Sequence, residues 1–336
     1  MRLRKPVKLA VLAARAGTVA AVLGAVGIAW GASDARWSTS LPEAAGVQQI
    51  AVGSGNLYVV WADKPVGHTA ALSESTGRLL WRADTASEAD LLASGSGVVW
   101  SAQDLGSSLV EQRAASGGVI ARFHAPDARD WQAIAATGAD AYGLTGGERK
   151  LVLSVYAGSR LARRVTTGVP KTADCNETVG GEDLYLLCVE LRGEVLYRLS
   201  EMTGRVLALA LLPQNAESDF AYENGSIYLE CDVHALSPTP RTVLRYAARS
   251  LKHVRTSRPM DITGGISSSG GSIVVQGAQG ARGTIITLNP STLAAQGSAP
   301  IPAGSDPGDL IAGTSDAFVV VNERSSEAVL SIPLAR

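Results

Sequence analysis

IAVGSGNLYVVWADKPVGHTAALSESTGRLLWRAD, residues 50–84, holds four short apolar runs separated by turn residues. Ile50–Val52 runs into Gly53-Ser54-Gly55, and Leu57–Trp61 follows. After a polar loop come Ala70–Leu72, a turn at Ser75-Thr76-Gly77, and Leu79–Trp81. Short runs of β-branched and aromatic residues punctuated by Gly, Asn, Asp and Ser are the pattern of strands joined by hairpin turns. A glycine before the last run suits a turn that needs positive φ.

The same pattern recurs along the chain. Leu57, at the start of the second run, has counterparts in Val98, Ala141, Leu184, Ile227, Ile273 and Phe318, spaced 41 to 46 residues apart. Finer registers repeat too: Leu72, Leu199 and Leu288 share one offset, and Thr76-Gly77 and Thr203-Gly204 share another. Four strands per period of this length predict an all-β fold, a seven-bladed β-propeller of four-stranded blades. Blade three looks weakest, since Ala141-Tyr142-Gly143 is a poor strand. Blade five carries an extra loop at His234–Arg241, and blade six a glycine-rich QGAQGARG at 276–283. The seventh copy shows only three runs, Asp309–Ala312, Phe318–Val321 and Ala328–Pro333. Arg36–Leu41, RWSTSL, reads as a strand without a partner, so the N-terminal strand is expected to complete the last blade and remove open sheet edges.

Residues 1–35 read differently. Arg2, Arg4, Lys5, Lys8 and Arg15 precede an uncharged run, AGTVAAVLGAVGIAWGAS, at 16–33. A basic head before an apolar helix is an export signal. The run is long enough for a single membrane anchor, and Ser33-Asp34-Ala35 offers a small-residue cleavage site, so a cleaved signal and a retained signal-anchor both fit. Either places the body, residues 36–336, outside the cytoplasm. Without residues 1–35 the chain keeps 25 basic and 30 acidic groups, a net charge of −5. That balance argues against nucleic-acid binding, which needs a clustered basic surface.

Cys175 and Cys188 lie equally far from the centre of one hairpin turn, which sets them opposite each other in an antiparallel pair and within disulfide reach. An oxidising compartment favours that bond. A Cys188–Cys231 bond and free thiols remain alternatives. With no CxxC and no neighbouring His pair, no metal site is expected.

In a propeller, the loops leading into first strands and the loops between second and third strands share the channel face. The first strands begin near Gln49, Asp90, Gln132, Asn176, Asp219 and Asp309, while blade six offers Gly264-Gly265 with Asp261 nearby. A ring of amides and carboxylates suits a cation, a sugar or a basic group of a partner, although Asp and Asn also close turns in water. Asp90, Trp131, Asn176, Asp219 and Asp309 are therefore the candidate contacts, with Trp131 as an aromatic anchor. His68, His124, His234 and His253 fall in different blades, and no GxSxG or phosphate-binding fingerprint is present. No catalytic constellation is found and no cofactor is expected.

ALSESTGRLLWRAD (71–84) resembles the repeat of the PQQ-like, quinoprotein-dehydrogenase-like propellers: an apolar strand, Thr-Gly, then an apolar strand with tryptophan. LYRLSEMTGRVLALAL (196–211) and TLNPSTLAAQG (287–297) follow it more loosely. Phe123, Val165, Leu209 and Val254 stand in the stretches comparable to Trp81. The quinone-binding members have eight blades, adjacent cysteines and a calcium site, so seven copies without adjacent cysteines resemble the non-catalytic branch. That resemblance implies an envelope propeller that binds a protein or envelope ligand. The alternative is a propeller enzyme, of lyase, hydrolase or quinoprotein type, using channel-face carboxylates.

Overall fold

The computed structural model describes residues 35–334, apart from 42–45, 64–65, 86–90, 96, 103–108, 126–130, 138–139, 172–173, 181–182, 192, 214–215, 235–236, 281, 303–304 and 324–325. The expected apolar helix and membrane anchor at 16–33 lie outside these residues. Among the described residues no helix is long and apolar enough to cross a membrane.

The chain forms seven four-stranded antiparallel sheets. Blade one is β2 (Val47–Gly53), β3 (Asn56–Asp63), β4 (Val66–Ser73) and β5 (Leu79–Thr85). Blade two is β6 (Leu91–Gly95), β7 (Val98–Ala102), β8 (Leu109–Ala114) and β9 (Val119–His124). Blade three is β10 (Trp131–Thr137), β11 (Asp140–Gly146), β12 (Lys150–Ala157) and β13 (Arg160–Pro170). Blade four is β14 (Asp174–Gly180), β15 (Asp183–Glu190), β16 (Gly193–Ser200) and β17 (Val206–Leu211). Blade five is β18 (Ala216–Glu223), β19 (Ser226–His234), β20 (Ser237–Ala247) and β21 (Lys252–Thr256). Blade six is β22 (Ile262–Ser269), β23 (Ser272–Gln279), β24 (Arg282–Leu288) and β25 (Ala295–Pro300). Blade seven is β26 (Asp306–Ala312), β27 (Asp316–Glu323) and β28 (Ser326–Pro333), and its fourth strand is β1 (Trp37–Ser40), which pairs Trp37 with Ser331 and Ser40 with Ala328. The first strands touch in a cycle, β2 to β6, β10, β14, β18, β22, β26 and back to β2. They therefore line the axis, as the seven-copy repeat predicts.

The core lies between blades. Second strands are buried on both faces and read as continuous apolar runs: Leu57–Trp61 and Leu184–Cys188 are all under 4 % exposed. Alternate residues then serve two different cores. In β15, Leu184, Leu186 and Cys188 pack toward blade three, while Tyr185 and Leu187 pack toward blade five.

Tryptophans on two fourth strands lock their blades to the next turn. The Trp37 indole N–H donates to the Glu74 carbonyl at 3.1 Å, and the Trp81 indole N–H donates to the Ala115 carbonyl at 2.9 Å. Both carbonyls sit in the turn before the following blade's fourth strand. Gly77 and Gly117 in those turns have φ of 68° and 92°, and a Cβ on either would come within 2.6 Å of the docked indole. Glycine is required there twice over, for its conformation and for its lack of a side chain.

The ladder register corrects the counterparts of Trp81 read from the sequence. Trp81 pairs with Ala71 just past a bulge, and the equivalent residues are Ala121, Arg163, Ala208, Arg255 and Gly297 rather than Phe123, Val165, Leu209 and Val254. Arg163 does what the tryptophan does elsewhere, since its guanidinium donates to the Glu201 carbonyl, in the same turn of blade four, at 2.5 Å.

Three local readings also change. Ala141-Tyr142-Gly143 forms a regular strand, because burial of Ala141, Tyr142 and Leu144 between blades supplies what β-propensity lacks. His234–Arg241 is no added loop but a lengthened β19–β20 hairpin. Pro238 and Pro240 fit it because they lie where the β19–β20 register slips, between the Asp232–Arg241 and His234–Ser237 pairs, so the regular ladder does not need their missing N–H groups. QGAQGARG is mostly strand, with a turn at Gly280. Cys175 and Cys188 are register partners joined by a disulfide, and Cys231 is buried outside it, its thiol donating to the Asp232 carbonyl at 3.6 Å.

Candidate channel-face site

The axial ends of the first strands are irregular. Antiparallel pairing with the second strand slips between Val47 and Gln49, Trp131 and Ala133, Ala216 and Phe220, across Ile262, Gly264 and Ile266, and between Pro307 and Leu310. A bulge bends its strand and turns side chains out of the regular alternation. Asp219 lies in the bulge of β18 and Asp309 in that of β26. Between them, β22 offers only Gly264 and Gly265, with φ of 150° and 71°. A Cβ on Gly264 would meet nothing within 4 Å, so this strand presents bare backbone beside open space.

Asp219 and Asp309 are exposed to water, yet desolvation by the surrounding protein is the leading influence on both carboxyls. Burial raises the Asp219 carboxyl above its ordinary range, and the Arg241 guanidinium opposes that rise. Asp309 is pushed up to about 6, first by burial and then by the negative charges of Asp219 and Glu327. Glu327 is raised by burial and partly restored by the backbone N–H of Val47, which donates to its carboxylate. Arg241 is the local counter-charge: its Nε donates to Asp232 at 2.8 Å and its Nη1 to buried Glu230 at 3.2 Å. In the sector from blade five to blade seven, Arg241 thus faces Asp219, Glu230 and Asp232, while Asp309 faces the negative charges of Asp219 and Glu327.

Of the residues singled out from sequence, the structure brings Asp219 and Asp309 into one electrostatic environment. Asn176 is half-buried in β14, paired with Leu187 across the ladder. Trp131 opens β10, but its side chain lies outside the described residues, as does Asp90. Sequence reasoning missed Glu327 and Arg241. Both belong to hairpins between second and third strands, the other source of channel-face residues, so an acid or base near those tips was the available signal. Among the described residues no three His, Cys, Asp or Glu are grouped to hold a metal ion.

Asp309 makes a pH-dependent contribution with a definite sign. The folded state holds its proton to about 6, against an ordinary 3.8. Stability therefore falls as pH rises through that window. Asp309→Asn should stabilise the fold at neutral pH and flatten its dependence on pH between roughly 4 and 6, with the gain held to about 1 kcal/mol by water reaching the carboxylate. Urea denaturation at a series of pH values tests this; an unchanged slope in the variant contradicts it.

No protein-family model matches the sequence, and no curated protein matches it. Solved structures do match. Hydrazine synthase of Kuenenia stuttgartiensis superposes with a TM-score of 0.63 at 11% identity, covering 88% of this chain and 97% of that one. The computationally designed Ika8 protein gives 0.57 at 13% identity, covering 87% and 98%. BamB from Moraxella catarrhalis gives 0.52 at 11% identity, covering 88% and 96%. The likeness is one of fold.

Proposed function

We propose that this chain is an exported binding propeller that takes a protein or cell-envelope ligand on its channel face. The observation that carries the proposal is the acidic sector at Asp219 and Asp309, set into bulges on either side of the bare Gly264 backbone. Carboxylates held at raised pKa by burial and by one another gain most from an incoming cation, so the contact on the ligand is an amine or guanidinium. Asp90, Trp131 and Asn176 extend the contact surface around the axis, in the arrangement read from the repeat. Residues 1–35 act as the export signal or anchor, and residues 36–336 work outside the cytoplasm, a compartment that the Cys175–Cys188 disulfide suits. Pairing of β1 with β28 supports closure of the ring by the N-terminal strand. The Trp-to-turn lock supports kinship with the PQQ-like repeat without implying its chemistry.

The double variant Asp219→Asn, Asp309→Asn should lose about tenfold or more in partner capture from an envelope extract, on the scale of losing charge-assisted contacts. Its melting temperature should not fall, since repulsion is relieved. Capture equal to wild type would sink the channel-face reading. A second reading, catalysis by these acids, draws on the raised Asp309. It requires turnover that declines as Asp309 titrates near 6 and disappears in Asp309→Asn.

A further inference from the structure

Arg163 and Arg164 stand side by side in β13, and strand geometry sends them to opposite faces. Arg163 reaches blade four, where it donates to the Glu201 carbonyl. Arg164 lies across the ladder from Ser154, and Thr166 across from Val152. Lys150 precedes Val152 by two residues, so all of these share one face of the sheet. Tyr156, further along that face of β12, packs with Trp100 of blade two. At the β11–β12 hairpin, Lys150, Val152, Arg164 and Thr166 join Glu148 and Arg149 in lining a cavity of about 800 Å³.

Three cations there face one carboxylate, a local net charge of +2 on a body whose net charge is −5. Arg113, Arg122, Arg198 and Arg241 each pair with a carboxylate. By contrast, Arg149, Lys150 and Arg164 have no ion pair and no side-chain hydrogen bond among the described residues. Like charges gathered without counter-charge repel one another, and an incoming anion relieves them.

The backbone beneath them is fixed. The Gly147 N–H donates to the Lys150 carbonyl and the Lys171 N–H to the Arg149 carbonyl, both at 2.9 Å. Gly147 lies so close on β12 that a Cβ would come 2.5 Å from the Lys150 carbonyl oxygen and 2.9 Å from Val152 Cγ2. Opposite, β13 bulges between Thr166 and Pro170, and the Thr167 hydroxyl donates to the Leu151 carbonyl at 2.9 Å. A bulge re-aims side chains, and a turn held in place spares a ligand the cost of ordering it.

The lining also selects the ligand. A phosphomonoester carries a charge of about −2 at neutral pH, which matches the groove, whereas a carboxylate or a phosphodiester carries a single charge. Guanidinium forks take phosphate oxygens in pairs, and Thr166 adds a hydroxyl. The volume suits a small molecule rather than a bare phosphate. Val152 and Val165 are the apolar side chains among the described lining residues, too few for acyl chains. We infer that this groove binds a soluble phosphomonoester, its phosphate held by Arg149, Lys150 and Arg164 and its organic body resting over Val152 beside Thr166. The inference stands apart from the acidic sector of blades five to seven, with which the groove shares no residue.

Calorimetric titration of the full chain at constant ionic strength tests it, with phenyl phosphate as the probe. Phenyl phosphate should bind saturably and at least about tenfold more tightly than benzoate, which has the same ring and one charge. Arg149→Gln and Arg164→Gln should each weaken it about tenfold. Arg160→Gln should leave it unchanged, because Arg160 pairs with Ala157 at the far end of the strand and is not part of the lining. All three arginines are exposed, so the variants should fold, which near-UV circular dichroism matching wild type verifies. Absence of saturable binding overturns the proposal, as does benzoate binding as tightly as phenyl phosphate. An equal loss in Arg160→Gln also overturns it, since that is diffuse attraction. Dihexanoyl phosphatidic acid, a phosphomonoester with acyl chains, should bind no more tightly than phenyl phosphate; tenfold tighter binding would make the ligand a lipid and overturn the soluble assignment.

Discussion

Removal of Ser326–Arg336 should leave a chain that does not fold. β28 is the third strand of blade seven, and it pairs with β27 on one side and β1 on the other. Its residues Val329, Leu330 and Ile332 are at most 3% exposed. They serve two cores: Val329 packs with blade one, while Leu330 and Ile332 pack with blade six. Burial of three such side chains contributes roughly 5–9 kcal/mol, comparable with the whole stability of an ordinary domain. The loss also spreads. Without β28, β1 has no neighbour to hold Trp37 against Phe318, where the rings stack at 5.5 Å. Trp37 then releases the Glu74 carbonyl, and the lock between blades seven and one opens. The truncated chain should show no near-UV circular dichroism and no sigmoidal urea transition. A cooperative transition with an unchanged slope would mean that the ring still folds as one unit without β28, contrary to its place in two shared cores.

How much of this was legible in the sequence follows from what each feature depends on. The period was legible because turn chemistry is local: Gly77 and Gly204 mark the same turn wherever it recurs. The apolar second strands were legible because burial on both faces leaves an unbroken run. The bulges were not, since they arise where the first strands converge on the axis, a condition set by the ring and not by neighbouring residues. For that reason Asp219 and Asp309 could be chosen by alignment, while their company with Glu327 and Arg241 could not. The blade-to-blade donor was half legible. Trp81 announced itself, but its counterpart in blade three is an arginine two residues from the expected Val165, because the bulges between third and fourth strands shift the register. What the position conserves in space is an N–H reaching the next turn's carbonyl, which indole and guanidinium both provide. Blade three's Ala141-Tyr142-Gly143 shows the converse, where tertiary packing overrules a weak local preference.

The blade-one to blade-two lock should appear as strong non-additivity between Trp81 and Gly117. Trp81→Ala removes a half-buried indole, its hydrogen bond to Ala115, and its contact with the Arg113 guanidinium, which lies 5.7 Å from the ring centre. That should cost roughly 2–3 kcal/mol. Gly117→Ala forces a Cβ to 2.5 Å from the indole Cγ at a φ of 92°. The collision and the strained backbone together should cost about 2–4 kcal/mol. In the double variant, however, the indole is gone and the new methyl enters the space it occupied. Only the backbone term remains, about 1 kcal/mol, with some return from filling the gap. The double variant should therefore be about 1–3 kcal/mol more stable than the sum of the single changes predicts. Urea denaturation of the four proteins gives that coupling directly. Additive losses would mean that Gly117 serves its own turn alone and that the tryptophan does not hold the blades together. Coupling of the expected size would place the link between blades in one ring lying flat on one glycine, the feature from which the repeat was first read.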